Sequence, residues 1–292
     1  MKKILVALLL SILLFVGCTG QAAPPAETEP PVTISEEDFL SPRRSMLSDR
    51  EKEVYDLVKG YAFSYTPFFF DFGEVDFDYD TYWKVDRALH YDCPEMWLFY
   101  NVISDYDPDS CDATGMPSVW YSVKSNYRHW DSWQKGDLDS PYDPDRHLDY
   151  IERINARCDE ILAQMPEGLS TREQYVWLAE YLCDHTDYVD DIKYIYADGP
   201  LLYGKGICQS YTQAYQWLCQ RAGLWCMTCN GTGNRIAHGW NIVMPEPGVT
   251  YYMDLTWADS TGRRDLYYFM TYETCISTGH TIDKGEWIAN GK

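Results

Sequence analysis

Gly204-Lys205-Gly206-Ile207-Cys208-Gln209-Ser210-Tyr211 is a glycine-rich turn running into a helix. Cys208, Tyr211, Tyr215, Leu218, Cys219 and Ala222 share one face of that helix, and Gly223 suits the position just past its end. Cys208 thus falls in the first turn, where unpaired backbone N–H groups and the positive end of the helix dipole favour a thiolate. On this segment alone an activated nucleophile and a buried structural thiol are equal readings. The tie is broken downstream. Residues 237–244, beginning Ala237-His238-Gly239-Trp240-Asn241, read as a strand. Pro245-Glu246-Pro247-Gly248 reads as a turn, and residues 250–257, with Asp254-Leu255-Thr256-Trp257 at their end, read as the return strand. Centring the hairpin on Glu246 pairs Ile242 with Thr250, Trp240 with Tyr252 and His238 with Asp254. Their Cβ atoms would lie about 4.5–5.5 Å apart. A carboxylate there orients the imidazole and stabilises its protonated form.

Cys208-Gln209-Ser210-Tyr211 opening a helix, His238-Gly239-Trp240-Asn241 on a strand and Asp254-Leu255-Thr256-Trp257 on the next resemble the transglutaminase-like superfamily, in particular its bacterial secreted members. The resemblance runs over residues 170–280, taking in a Tyr267-Tyr268-Phe269 strand and His280, with a weaker echo in Tyr91-Asp92-Cys93-Pro94-Glu95. It implies an α+β fold: a papain/transglutaminase-like core whose nucleophile sits at a helix N-terminus packed on an antiparallel sheet. It also implies that Cys208 is the nucleophile, His238 the general base and acid, and Asp254 the orienting carboxylate. Ser210 stands where glycine is common and Gly239 where alanine is common; both are small. The implied chemistry is acyl transfer through a thioester, on protein or peptide amides that include cell-surface or cell-wall material. Fold does not fix function, and hydrolysis is slightly favoured over cross-linking to a lysine amine because cross-linking requires a dry, lysine-accepting tunnel that the sequence does not indicate. Two rivals stand beside it. One is a non-catalytic module that binds peptide, glycan or cell-wall polymer. The other is a papain-like amidase in which Asn241 or His280 orients the base. No cofactor or metal is implied.

The N-terminus bears on the compartment. Lys2-Lys3 precedes an apolar run over residues 4–16, too short to span a bilayer as a helix and suited to an export signal. Its end, Phe15-Val16-Gly17-Cys18, resembles the lipobox of bacterial lipoproteins, apart from Phe15 where leucine is usual. The resemblance implies a signal peptide over residues 1–17, lipidation of Cys18, and anchoring to the outer face of the cytoplasmic membrane. Residues 18–45 are rich in Pro, Ala, Thr and Glu and read as a disordered tether. An aromatic, acidic region over residues 46–145 and a catalytic domain over residues 146–292 follow.

Composition narrows the partners. The 292 residues carry 45 Asp+Glu against 24 Lys+Arg, a net charge of −21, which disfavours nucleic acid and charge-driven membrane binding. Aromatic residues make up 16% of the chain, enough to fill a core or line a cleft. Asp49 to Gly60 and Thr81 to His90 read as helices, and residues 96–103 and 119–127 as strands. Beyond Pro144, Leu148, Ile151, Ile154, Cys158, Ile161 and Leu162 mark a helix, and Ser170 with Glu173 forms a capping box for the next.

Ten cysteines complete the inventory. With Cys18 and Cys208 assigned, the other eight suggest either free core thiols or disulfides, Cys93–Cys111 and Cys158–Cys183 being the pairs proposed. Cys226 and Cys229 have zinc spacing without a second ligand pair. Asp105, Asp107, Asp109 and Asp112 suggest a calcium loop but lack its glycine and its terminal glutamate, so a solvated turn is preferred. Lys205 reads as a solvated turn residue, Tyr196 and Tyr203 as candidate oxyanion donors, and His90, His129, His147 and His185 receive no role.

Overall fold

The structure is a computed structural model that describes residues 39–63, 68–71, 79–103, 118–123 and 144–291. Asp105, Asp107, Asp109 and Asp112 of the calcium-loop reading, Cys111 and the export and tether segments before residue 39 lie outside the described residues. Among those described, no helix is long and apolar enough to cross a membrane.

Helices α1 (Pro42–Ser45), α2 (Asp49–Ala62), α3 (Tyr79–Asp92) and α4 (Met96–Phe99) come first, with strands β1 (Phe68–Asp71), β2 (Tyr100–Ile103) and β3 (Ser118–Val123) forming a small antiparallel sheet. Residues 96–103 were expected to be extended throughout. Instead a turn closes behind Pro94, Met96 N–H bonding Cys93 C=O and Leu98 N–H bonding Glu95 C=O, which buries Met96 and Leu98 before the strand begins.

Helix α5 (Pro144–Leu162) opens on proline, whose fixed φ suits a first helical position. Ile151, Ile154, Cys158 and Ile161, spaced three and four apart, are its buried stripe. Ser170 and Glu173 cap α6 (Thr171–His185) reciprocally, as their spacing predicts. Both helices pack against α7 (Cys208–Arg221), which is buried from Ser210 to Cys219 and forms the centre of the molecule. Short parallel strands β4 (Asp187–Tyr188) and β5 (Lys205–Gly206) lead into it.

Helix α7 lies on an antiparallel sheet of β6 (Cys226–Gly233), β7 (Ile236–Glu246), β8 (Val249–Met253) and β9 (His280–Ile282), in the order β8-β7-β6-β9. Alternation along the strands separates two cores. Cys226, Val243 and Met253 face α7, whereas Met227, Cys229, Trp240, Ile242 and Tyr252 face a second apolar layer beneath the C-terminal segment. The α7-side core also takes in Val54, Val58, Val85 and Leu89 from α2 and α3, so residues before and after 145 share one interior.

The β7–β8 hairpin differs from the expected register. Its turn is the two-residue Pro247-Gly248, Gly248 taking φ 75°, and a bulge lies between Val243 and Glu246. Ile242 therefore faces Tyr252 rather than Thr250. The displacement is two residues, and two residues preserve the face. The return strand also ends earlier than predicted. Asp254 accepts the Trp257 N–H through its side chain and starts helix α8 (Leu255–Thr261). The Tyr267-Tyr268-Phe269 segment is likewise not a strand: helical turn α9 (Arg264–Tyr267) ends there, and only Met270 bridges Tyr252. Helix α10 (Tyr272–Ser277) then leads to β9.

Candidate active site

Cys208 is the first residue of α7. Its turn is held by Ser210, whose hydroxyl lies 2.8 Å from the Ile207 N–H and 2.9 Å from the Ile207 carbonyl. Gly206 makes this possible, because a Cβ there would stand 2.6 Å from Ser210 Oγ. Serine in place of the common glycine is thus part of the turn. Gly239, by contrast, has only ordinary contacts around its Cβ position, so alanine would fit.

His238, on β7, hydrogen-bonds Cys208 on one side and Asp254 on the other, its Nε2 lying 2.8 Å from Asp254 Oδ2. A carboxylate only accepts, so Nε2 carries a proton and Nδ1 is left to face the sulfur. Trp257 stacks on the imidazole at 5.2 Å between centroids. Gly233 on the neighbouring strand admits both rings: a Cβ there would meet Trp257 at 2.6 Å and His238 at 3.0 Å.

Burial pushes the Cys208 thiol up. The His238 hydrogen bond and charge, with the backbone N–H groups of Gly239 and Gln209, outweigh burial and bring it below its ordinary value. Burial alone would lower His238, but the hydrogen bonds to Asp254 and Cys208 raise it to about 9. Asp254 is fully buried; burial is again outweighed, here by bonds from His238 and His280, and it stays below the usual carboxylate range. The neighbouring groups thus shift the thiol toward thiolate and the imidazole toward imidazolium, beside a carboxylate held ionised.

One member was underrated by the sequence. His280, the first residue of β9, places Nε2 3.0 Å from the same Asp254 Oδ2 and is wholly buried. His238, Asp254 and His280 form the one cluster of metal-capable groups among the described residues. Both imidazole nitrogens sit at hydrogen-bond length from one acceptor oxygen, which satisfies all three without an ion.

The thiol opens into a cleft of about 370 Å³. One wall comes from α7 and β7, with Gln209, Gln213 and Gly239; the other comes from the preceding region, with His90, Tyr91 and Trp97. That second wall is fastened from below. Gln216 Nε2 donates to the Tyr91 carbonyl at 2.7 Å and Gln220 Nε2 to the Asp92 carbonyl at 2.6 Å. The sequence assigns His90 no role, and a helix so far upstream carries no spacing signal that would place it beside Cys208.

No family model and no curated protein matches the sequence. Solved structures do. The chain is similar to a TGase crystal structure at 13% identity and TM-score 0.33, the match covering 54% of this chain and 43% of that one. It is also similar to a Cytophaga hutchinsonii protein proposed to be a cysteine protease, at 10% identity and TM-score 0.32, covering 56% of each chain. The matches span about half the length of those chains. Likeness of this extent speaks to neither reaction nor substrate. The core itself sets a helix-borne cysteine on an antiparallel sheet with histidine and aspartate behind it, the α+β arrangement expected from the sequence resemblance.

Other candidates fall elsewhere. Asn241 is buried and donates to the Thr212 carbonyl at 3.0 Å, tying β7 to α7 rather than orienting His238. Tyr196 and Tyr203 are not among the cleft-lining residues, and Tyr203 is exposed beside Tyr150. Lys205 is exposed with its ammonium over the Tyr194 ring. Cys226 and Cys229 point into different cores, as residues three apart on a strand must. The Cys158–Cys183 disulfide does not form: both thiols are free, and Cys183 Sγ turns away from α5 toward the Leu255 carbonyl and Tyr268 hydroxyl, each at 3.6 Å. Cys93 is also free and buried, near the Tyr55 hydroxyl.

Proposed function

We propose that the chain is a transglutaminase-like cysteine enzyme that transfers the acyl group of a protein or peptide amide, with water favoured over an amine as acceptor. The observation that carries this is the Cys208–His238–Asp254 array, its thiol lowered and opening into a cleft. The thiolate would attack the amide carbonyl carbon, forming a C–S bond, and the resulting oxyanion would face the free N–H groups at the start of α7. Collapse breaks the C–N bond as the His238 imidazolium passes its proton to the departing amine. His238 then takes a proton from water, whose oxygen displaces the thiolate and releases the acid. Polar groups on the cleft wall, Gln209, Thr212 and Asn230 among them, support water as the acceptor.

Localisation belongs to the same reading: export on residues 1–17 and a lipid on Cys18 that holds the enzyme outside the cytoplasmic membrane. Iodoacetamide should label Cys208 of the full chain far faster than the other thiols, and His238→Ala should abolish the difference. Uniform labelling would sink the activated-thiol reading in favour of a binding module. Glutamine-containing peptides supplied with and without a primary amine separate the acceptors: ammonia release without amine incorporation leaves hydrolysis, and incorporation overturns it. A Cys18→Ser chain should appear in the medium instead of the membrane fraction.

A further inference from the structure

His280 is neither nucleophile nor base, yet its environment is built as closely as theirs. Its Nε2 meets Asp254 Oδ2 at 3.0 Å, while Nδ1 lies 2.9 Å from Thr278 Oγ1 and 3.2 Å from the Cys275 carbonyl. The ring is set between Trp257 at 4.3 Å and Trp240 at 4.7 Å. It therefore has its rotation fixed at both nitrogens, with two indole rings packed against it. The carboxylate it touches has few other restraints: Oδ1 accepts the Trp257 N–H at 3.0 Å and Oδ2 accepts His238 at 2.8 Å.

From this geometry we infer that His280 is a positioning residue, a second imidazole that clamps the Asp254 carboxylate in the plane where it can hold His238. The inference rests on the acyl-transfer reading above and adds a fourth group to it. Oδ2 has two lone pairs, and the two imidazoles fill both. Without His280, one lone pair of a fully buried carboxylate is unfilled. The group then gains by rotating toward any other donor, which draws it off His238 Nε2. A purely electronic role predicts the opposite. A donor removed from Asp254 makes it the stronger acceptor, tightens its hold on His238 and lowers the Cys208 thiol further.

The two roles separate in the pH dependence of Cys208 alkylation by iodoacetamide, followed by mass spectrometry on the full chain. His280→Phe keeps a ring between the tryptophans and removes both nitrogens. It should slow alkylation at neutral pH about tenfold or more, the size of one hydrogen bond to a charged group, and move the midpoint up toward that of an ordinary thiol. His280→Gln, whose amide N–H reaches as far as imidazole Nε2, should recover the rate to within about threefold. Thr278→Val removes one of the two partners of Nδ1 without touching Asp254 and should move the midpoint upward by a smaller amount, which keeps the test alive if His280→Phe does not fold. An unchanged midpoint in His280→Phe, a midpoint that moves down, or equal impairment of the Phe and Gln variants would each overturn the inference. A wild-type chain whose Cys208 is no faster than its other thiols would instead overturn the acyl-transfer reading itself.

Discussion

Asp254 carries two duties on two oxygens. Oδ1 caps α8 and Oδ2 receives the imidazoles. Asparagine separates them, because its amide oxygen can still cap the helix while its amide nitrogen repels an N–H donor. Asp254→Asn should therefore keep its melting temperature within a few degrees yet lose at least about 100-fold in peptide hydrolysis. Thermal denaturation alongside the rate measures both. The pH profile belongs to the same residues. Thiolate is present once pH exceeds the lowered Cys208 value, and imidazolium persists until pH climbs through about 9. The hydrolysis rate should rise on the acid side as the thiol ionises and fall above about pH 9, when His238 has no proton for the leaving amine. A rate still climbing at pH 10 would contradict this order of charges. His238 and Asp254 were legible as neighbours for a sound reason: strand parity survived a two-residue error in register. His280 was not legible as a partner of Asp254, since β9 joins the sheet across β6 and nothing in local spacing announces that pairing.

At the scale of elements, the interior contact between β6 and β7 decides how closely the base can be seated. Asn234 and Arg235 both take positive φ in the two-residue turn, and Gly233 just before it leaves room for the His238 and Trp257 rings. Gly233→Ala should displace both rings, cost on the order of 1–3 kcal/mol by overpacking and remove the selective labelling of Cys208. Chemical denaturation and iodoacetamide kinetics report the two effects. Helices α5, α6 and α7 were readable because their apolar spacing and caps agree with their burial. The return strand was misjudged beyond Met253 because aspartate before Leu-Thr-Trp is also a helix start, and the cap prevailed. A helical turn over residues 96–99 was hidden in the same way, since a run of Met-Trp-Leu-Phe suits either state.

At the scale of the molecule, the region before residue 145 is bound to the segment that carries Cys208 by charge as well as by packing. Asp92 accepts the backbone N–H groups of Arg43 and Arg44, each at 2.8 Å. The Arg43 guanidinium reaches the Thr228 carbonyl at 2.8 Å and ion-pairs Glu286, whose side chain is 2% exposed. Arg43→Met would leave Glu286 as a buried charge whose remaining cation, Arg87, is 3.8 Å away. It should cost about 3 kcal/mol, with most of the loss recovered in an Arg43→Met, Glu286→Leu double variant. Equal stability of the single variant and the wild type in urea titration would show the pair to be dispensable. Such long-range fastening escapes a sequence reading, because Arg43 and Glu286 carry no pattern that relates one end of the chain to the other.

The shared carboxylate has a consequence for the life of the chain before it is folded. The Cys208 thiol is lowered by His238, whose partner Asp254 is shared with His280, and these residues meet only across the folded sheet. An incomplete or unfolded chain carries Cys208 as an ordinary, mostly protonated thiol. On the acyl-transfer proposal the chain is thus chemically silent until it folds, and it arms itself only when β9 closes on the sheet.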